Sequence, residues 1–424
     1  MMVRYGLRAL YYFHSILGLV PYELNSQNGL RRSKCKRRWT LTIGCTTVVL
    51  VCFSFCAVWL QDTLSFATFV DALLIRSLVL VEFTIRYGTV VLCFYQLLRH
   101  EVSLHRYVQR FVVIGKSVVV RCNSRSYASV QRMVYALVAK MLIADVGLCT
   151  LFAMNSGIKG HETSAHVYRT VNIYVVMMSS QFTNLLLLML LFGSYVYGQI
   201  NKQLDQTVHR LASFETQQSY WSRRRVRVQQ ICCDASDTID RLCTLHQELT
   251  EIVRSIVSIF QLPVMLMNLN QFIVIVSRIY FVYILGAQVN HRSDYMSYHR
   301  FFNSILYICF EAVQCFLLAL GSSVIAQEAR RPGTTMNVFV NAWLDTRTER
   351  SIELFTLAVL ATDARIKIGG MYVLNMAFVF SVCSDSEKWC NFYEQTDFIF
   401  NSFQLATTVN MYLIVLVQFQ LNID

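Results

Sequence analysis

Apolar residues in this chain gather into runs too long for the core of an ordinary soluble domain. Six stand out: Trp39–Leu60, Phe69–Leu98, Val134–Met154, Val171–Val196, Ile256–Leu285 and Phe301–Ala326. A helix rises about 1.5 Å per residue, so roughly 20 mainly apolar residues cross about 30 Å of hydrocarbon, and each run reaches that length. A seventh run, Phe398–Phe419, is long enough but carries Asn401, Gln404, Thr407, Thr408, Asn410 and Gln418. A final helix with that many polar positions is expected to line water rather than face lipid. The pattern predicts an all-α integral membrane protein with seven transmembrane helices.

Between the runs the apolar period changes. Ile200, Leu204, Val208 and Leu211 fall on one helical face, and so do Ile239, Leu242, Leu245, Leu249 and Ile252. The fourth and fifth spans are therefore expected to continue as amphipathic helices beyond the membrane, either lying on its surface or forming a bundle under it. Pro263 is expected to kink the fifth span. Ile352–Val382 mixes apolar stretches with Asp363, Arg365, Lys367 and Gly369–Gly370. It reads as a helix that turns near the glycines, and its last apolar run, Met371–Val382, is too short to span. The expected organisation is an N-terminal segment (1–38), four spans (39–196), a helical linker (197–255), two spans (256–326), an anchor segment that re-approaches the membrane (327–397), the seventh span (398–419) and a tail (420–424).

Composition supports the membrane class, with 55% hydrophobic and 15% charged residues against about 25% charged in soluble domains. The formal net charge of +12 would suit nucleic acid, yet no base-reading module accompanies it, and its distribution has another cause. Alternate inter-span segments, starting with the N-terminal one and taking 327–369 as the last, hold 29 Lys and Arg, and the segments between them hold 4. The positive-inside bias then puts the N-terminus in the cytoplasm and the C-terminus outside. Nucleic acid is excluded as a partner, and the Arg223–Arg225 run with Arg227 reads as topology charge near anionic lipid. Met1–Val20 has no signal-peptide pattern, so the first span is expected to start insertion itself.

Candidate chemistry is sparse. Many of the 14 cysteines sit within apolar runs and none forms a CxxC pair, so neither zinc nor a redox dithiol is expected. His161 and His166 are five apart, where a zinc-protease helix needs four, so no metal is expected. No phosphate loop, nucleophile elbow or cofactor motif appears, and the chain is not read as an enzyme. Charges inside the spans are more informative because they are costly there. The second span carries Asp71, Arg76, Glu82 and Arg86, the third Lys140 and Asp145, the fifth Arg278, and the sixth Glu311. Glu82 and Arg86, spaced i,i+4 with the acid first, can pair on one face. Interhelical pairs that lock the bundle are one reading. The other is an outer cavity for a small organic ligand, lined by Asp71, Arg76, Asn172, Tyr174, Arg278, Tyr283 and Glu311.

The last span adds a specific signal. Met411-Tyr412-Leu413-Ile414-Val415-Leu416-Val417-Gln418-Phe419 resembles the signature of insect gustatory receptors, which is Thr-Tyr, five hydrophobic residues and Gln-Phe near the C-terminus. Tyr412, Gln418 and Phe419 match, while Met411 stands where Thr is usual. Gly370-Met371-Tyr372-Val373-Leu374-Asn375 is similar to the family's segment before its final helix. The resemblance implies a homo- or heterotetrameric, non-selective cation channel in the cell membrane of gustatory neurons, gated by a small-molecule tastant. In such a channel the final helix of each subunit lines the pore. Gln418 would face permeant cations, Val415 would form part of a hydrophobic gate, and the cytoplasmic helices would anchor the subunits. No cofactor is implied.

Two departures qualify this resemblance. Sugar-sensing members carry an acid just after the motif tyrosine, where this chain has Leu413, so bitter or other non-sugar compounds are expected. About 20 extra residues near Ser381–Asn401, including Cys383, Lys388 and Cys390, are either a true loop or an intron translated in frame. The main alternative, a seven-span G-protein-coupled receptor, needs its N-terminus outside, against the charge distribution. A secondary transporter would favour inverted repeats and broken helices, and neither is present.

Overall fold

A computed structural model describes residues 2–24, 30–60, 72–119, 135–147, 163–215, 225–289, 295–337, 345–370 and 372–375. The expected seventh span, with Tyr412, Val415, Gln418 and Phe419, lies outside these residues, as does the segment near Ser381–Asn401.

The chain begins with helix α1 (Met2–Ile16) and a short antiparallel hairpin of β1 (Tyr22–Leu24) and β2 (Leu30–Arg32). Helices α2 (Lys34–Leu60) and α3 (Ala72–Arg99) carry the first two apolar runs. Helix α4 (Glu101–Val119) occupies part of what reads in sequence as an inter-span segment. A helical segment, α5, covers 135–147 and winds as a π-turn over Met141–Val146. Two long helices follow, α6 (Thr163–Glu215) and α7 (Arg225–Val289), then α8 (Tyr295–Met336) and α9 (Thr346–Ala361). Helix α7 runs on through Pro263. Among the described residues, Thr170–Leu211, Gln229–Ile279 and Phe301–Met336 are long and apolar enough to cross a membrane.

The lengths of α6 and α7 explain the change of period. Their 53 and 65 residues rise roughly 80 and 100 Å, well beyond about 30 Å of hydrocarbon. Past the purely apolar stretch, only the faces that meet other helices stay apolar. Ile200, Leu204 and Leu211 of α6 are buried with Ile239, Leu242, Leu249 and Ile252 of α7, and Phe355 and Val359 of α9 complete this core. The two amphipathic stretches thus pack as a bundle. Helix α9 is apolar on its other side too, where Leu354, Leu357 and Leu360 are exposed.

Glycine sets the approach of α6 and α8. A Cβ added to Gly193 would fall 2.7 Å from Ile325 Cδ1, and one added to Gly321 would fall 2.8 Å from Leu187 Cδ1. Each helix therefore seats a side chain of the other in a notch.

One expectation is refined and another corrected. The fold is predominantly helical, as expected, with two short hairpins beside the helices. The hairpin of β1 and β2 is held by Tyr11, whose hydroxyl donates to the Tyr22 carbonyl at 2.7 Å, and by Tyr22, which donates to the Glu101 carbonyl at 3.0 Å. Arg32 and Arg37 meet the buried Glu101 carboxylate at 3.5 and 3.1 Å. Second, the helix expected over Ile352–Val382 is α9, which begins at Thr346 and ends at Ala361. Beyond it, Asp363 gathers Arg365 and Lys367, each at 2.9 Å, and strands β3 (Lys367–Ile368) and β4 (Tyr372–Val373) form a second hairpin. Gly369 and Gly370 make that turn with φ of 60° and 71°, a region open to glycine and costly for residues with a Cβ.

Candidate ligand cavity

Helices α3, α6, α7 and α8 wall a narrow polar cavity that opens to solvent. Arg86 comes from α3, and Val176, Ser179, Ser180 and Thr183 come from α6. Helix α7 supplies Asn270 and Gln271, and α8 supplies Phe310, Glu311 and Gln314. Organic-ligand sites are mostly apolar. This one is far smaller than such sites and mainly polar.

On one side lies a cluster of paired charges. Arg86 donates to Glu82 at 2.6 Å, one turn earlier on α3, and both side chains are buried. Arg278 of α7 approaches the same Glu82 oxygen at 3.8 Å. Arg86 also donates to Asn172 of α6 at 3.3 Å. Both guanidinium groups lie near the Tyr307 ring, 5.6 Å away for Arg86 and 5.2 Å for Arg278. That ring stacks on Phe310 with centroids 6.3 Å apart and planes 18° apart. Charges taken out of water this far are tolerable only when each finds such partners.

A second cluster adjoins the first. Lys140 and Asp145 of α5 pair at 3.1 Å and are almost fully buried. Five residues apart, they would point away from each other on an α-helix. The π-turn between them, with its i→i+5 bonding, brings them to one side. Lys140 also donates to Asn184 and to Gln314, the latter at 2.8 Å. Asp145 accepts from Asn184 at 2.6 Å, Gln314 at 3.1 Å and Gln181 at 3.2 Å. Gln314 closes the set by donating to Ser180 at 2.6 Å.

The residues singled out in sequence are placed unevenly. Glu311 lines the cavity, Arg278 and Asn172 belong to the charge cluster beside it, and Tyr174 meets the Thr47 hydroxyl of α2 at 2.9 Å. Asp71 and the side chains of Arg76 and Tyr283 lie outside the described residues. Sequence reasoning missed Asn270, Gln271, Gln314 and the α6 hydroxyls. A signal for some of them was present, since Ser179 and Thr183 are i,i+4 and Glu311 and Gln314 are i,i+3, each pair on one face of an apolar helix.

Three comparisons with known proteins bear on this arrangement. A family profile described as 7tm Chemosensory receptor matches residues 7–384. No curated protein matches the chain in sequence. Among solved structures, the fold is similar to that of the insect olfactory receptor OR5 from Machilis hrabei, determined in complex with eugenol. The TM-score is 0.52 at 12% identity, over 92% of this chain and 97% of that one.

Proposed function

The chain belongs to the 7tm chemosensory receptor family of insects, and we propose that within it the protein is a gustatory receptor, a cation channel opened by a non-sugar tastant. The observation that carries this reading is the polar cavity walled by α3, α6, α7 and α8. It lies in a fold similar to that of a receptor solved with a small organic molecule, eugenol. The motif residues Tyr412, Gln418 and Phe419 favour the gustatory branch, and Leu413 after the motif tyrosine disfavours sugars.

In this reading the chain crosses the membrane seven times, with a cytoplasmic N-terminus, in line with the 29-to-4 partition of Lys and Arg. Four subunits assemble around the seventh helices. The apolar stripe of Leu354, Leu357 and Leu360 on α9 is a suitable surface for a neighbouring subunit. Val415 then belongs to a hydrophobic constriction and Gln418 to an amide ring facing the ions. A tastant in the cavity opens the pore only by binding the open state more tightly than the closed one. Calcium imaging in cells expressing the receptor, alone and with related subunits, tests the reading against a tastant panel. Gln418→Ala should change ion permeability more than half-maximal tastant concentration. Unchanged permeability would remove Gln418 from the pore.

A further inference from the structure

The basic residues at the start of α2 divide into those with partners and those without. Six Lys and Arg lie between residues 31 and 38. Arg32 and Arg37 are taken by the Glu101 carboxylate, and Lys36 donates to the Ser15 hydroxyl of α1 at 2.7 Å. Arg31, Lys34 and Arg38 are exposed, and among the described residues no acid pairs with them. Glu23 stands opposite Arg31 in the hairpin and offsets only one of the three charges. On the helical bundle, by contrast, exposed arginines find acids, as Arg331 does in Asp205 and Arg347 in Asp237.

The surface that continues from these groups changes character at once. Lys34, Arg38, Leu41, Cys45, Val48 and Cys52 follow at steps of three and four residues and so share one face of α2. All six are exposed, while Thr47, Val51 and Ser54 on the opposite face are buried. The exposed face is basic for its first turn and apolar for about three turns after it. Trp39, an interface-type residue, marks the change, and its Nε1 donates to the Ile16 carbonyl at 3.0 Å.

A soluble phosphate would meet the charges and leave the apolar stripe bare. A neutral lipid or an apolar helix would cover the stripe and leave the charges unmatched. A phospholipid with a negative headgroup presents both features in the same order as this face. We propose that α2 holds an anionic phospholipid here. Its headgroup phosphate meets Lys34 and Arg38, one turn apart, with Arg31 of β2 three residues ahead of the helix. One acyl chain lies along Leu41, Cys45, Val48 and Cys52. This assignment rests on α2 being the first span of the proposed receptor, with its basic end at the cytoplasmic leaflet, where anionic lipids are concentrated.

The test is native mass spectrometry of the purified full receptor in detergent. The probe is dioctanoyl phosphatidylinositol 4-phosphate, beside dioctanoyl phosphatidylcholine and the chain-free glycerophosphoinositol 4-phosphate. The anionic lipid should bind about tenfold or more tightly than either. One basic group near a lipid surface is worth roughly a fivefold change in affinity. Lys34→Gln should lose about that factor, and Arg31→Gln, Lys34→Gln and Arg38→Gln together should bring the affinity down to that of the neutral lipid. Lys34→Arg should keep it, and so should Arg347→Gln, which removes an exposed charge elsewhere. Where the triple variant does not fold, Lys34→Gln decides. Equal binding of the neutral lipid, or undiminished binding in these variants, overturns the headgroup site, and equal binding of the chain-free headgroup overturns the acyl stripe. A separate arm treats the receptor in nanodiscs with a water-soluble maleimide and maps the modified peptides. Cys35, exposed beside Lys34, should react, and Cys45 should be protected. Equal reaction of the two overturns α2 as a span and the lipid site with it. A protected Cys45 without lipid selectivity overturns the lipid site alone.

Discussion

Helices α6 and α7 each pass through two regions of opposite character. In one, they meet through Ile200, Leu204, Ile239, Leu242, Leu249 and Ile252, all nearly inaccessible, with Phe355 of α9 added. In the other, they contribute Ser180, Asn184, Asn270, Gln271 and Arg278 to a region that also contains Glu82, Arg86, Lys140, Asp145 and Glu311. Apolar packing is non-directional, so the first region holds its shape through area and volume. A polar interior holds through particular partners and can exchange them for those of a guest. The first region is held by shape, and the second by pairing.

The largest effect is expected where a polar partner is removed and its counterpart stays buried. Lys140→Ala leaves Asp145 uncompensated and should cost about 3–5 kcal/mol. It would show as a lower unfolding temperature of the detergent-purified receptor and less protein at the cell surface. Replacing Lys140 and Asp145 together by Met and Leu should recover much of that loss. If it does not, the pair does more than neutralise itself.

The apolar region should respond to volume and not to chemistry. Leu242→Ala should cost about 2–5 kcal/mol and Leu242→Met less than about 1.5 kcal/mol by the same unfolding measurement. Equal losses for the two would contradict the comparison.

The smallest effect belongs to charges near solvent. Arg365 and Lys367 hold the Asp363 carboxyl well below the usual carboxylate range. A carboxyl lowered in the folded state adds stability above its unfolded pKa near 4, and loses it as pH falls toward the folded value. Wild-type stability should therefore decline slightly more than that of Asp363→Asn below about pH 4. With the Asp363 side chain 31% exposed, screening keeps the difference small.

The sequence made one part of this comparison readable and hid much of the other. The buried faces of α6 and α7 are visible as a 3.6-residue period because burial on one side selects apolar residues at that spacing. The Glu82–Arg86 pair follows from i,i+4 geometry. Lys140 and Asp145 could not be paired by spacing, because their alignment depends on a π-turn that no residue type announces. The hairpins escaped because strands of two or three residues are too short to display alternation. Asn270 and Gln271 looked like ordinary polar residues in a span, and only their place on the cavity wall singles them out.

The reciprocal glycine notches have a mechanical consequence. Gly193 and Gly321 lie along α6 and α8 between the cavity and the apolar bundle, with Ile325 and Leu187 seated in them. For the helices to slide along each other, both side chains must leave their seats, and the next turn is about 5.4 Å away. Tilting leaves both seats filled. The crossing is thus shaped as a fulcrum, about which a small spreading of the helices at the cavity would become an opposite swing of the long arms beyond it.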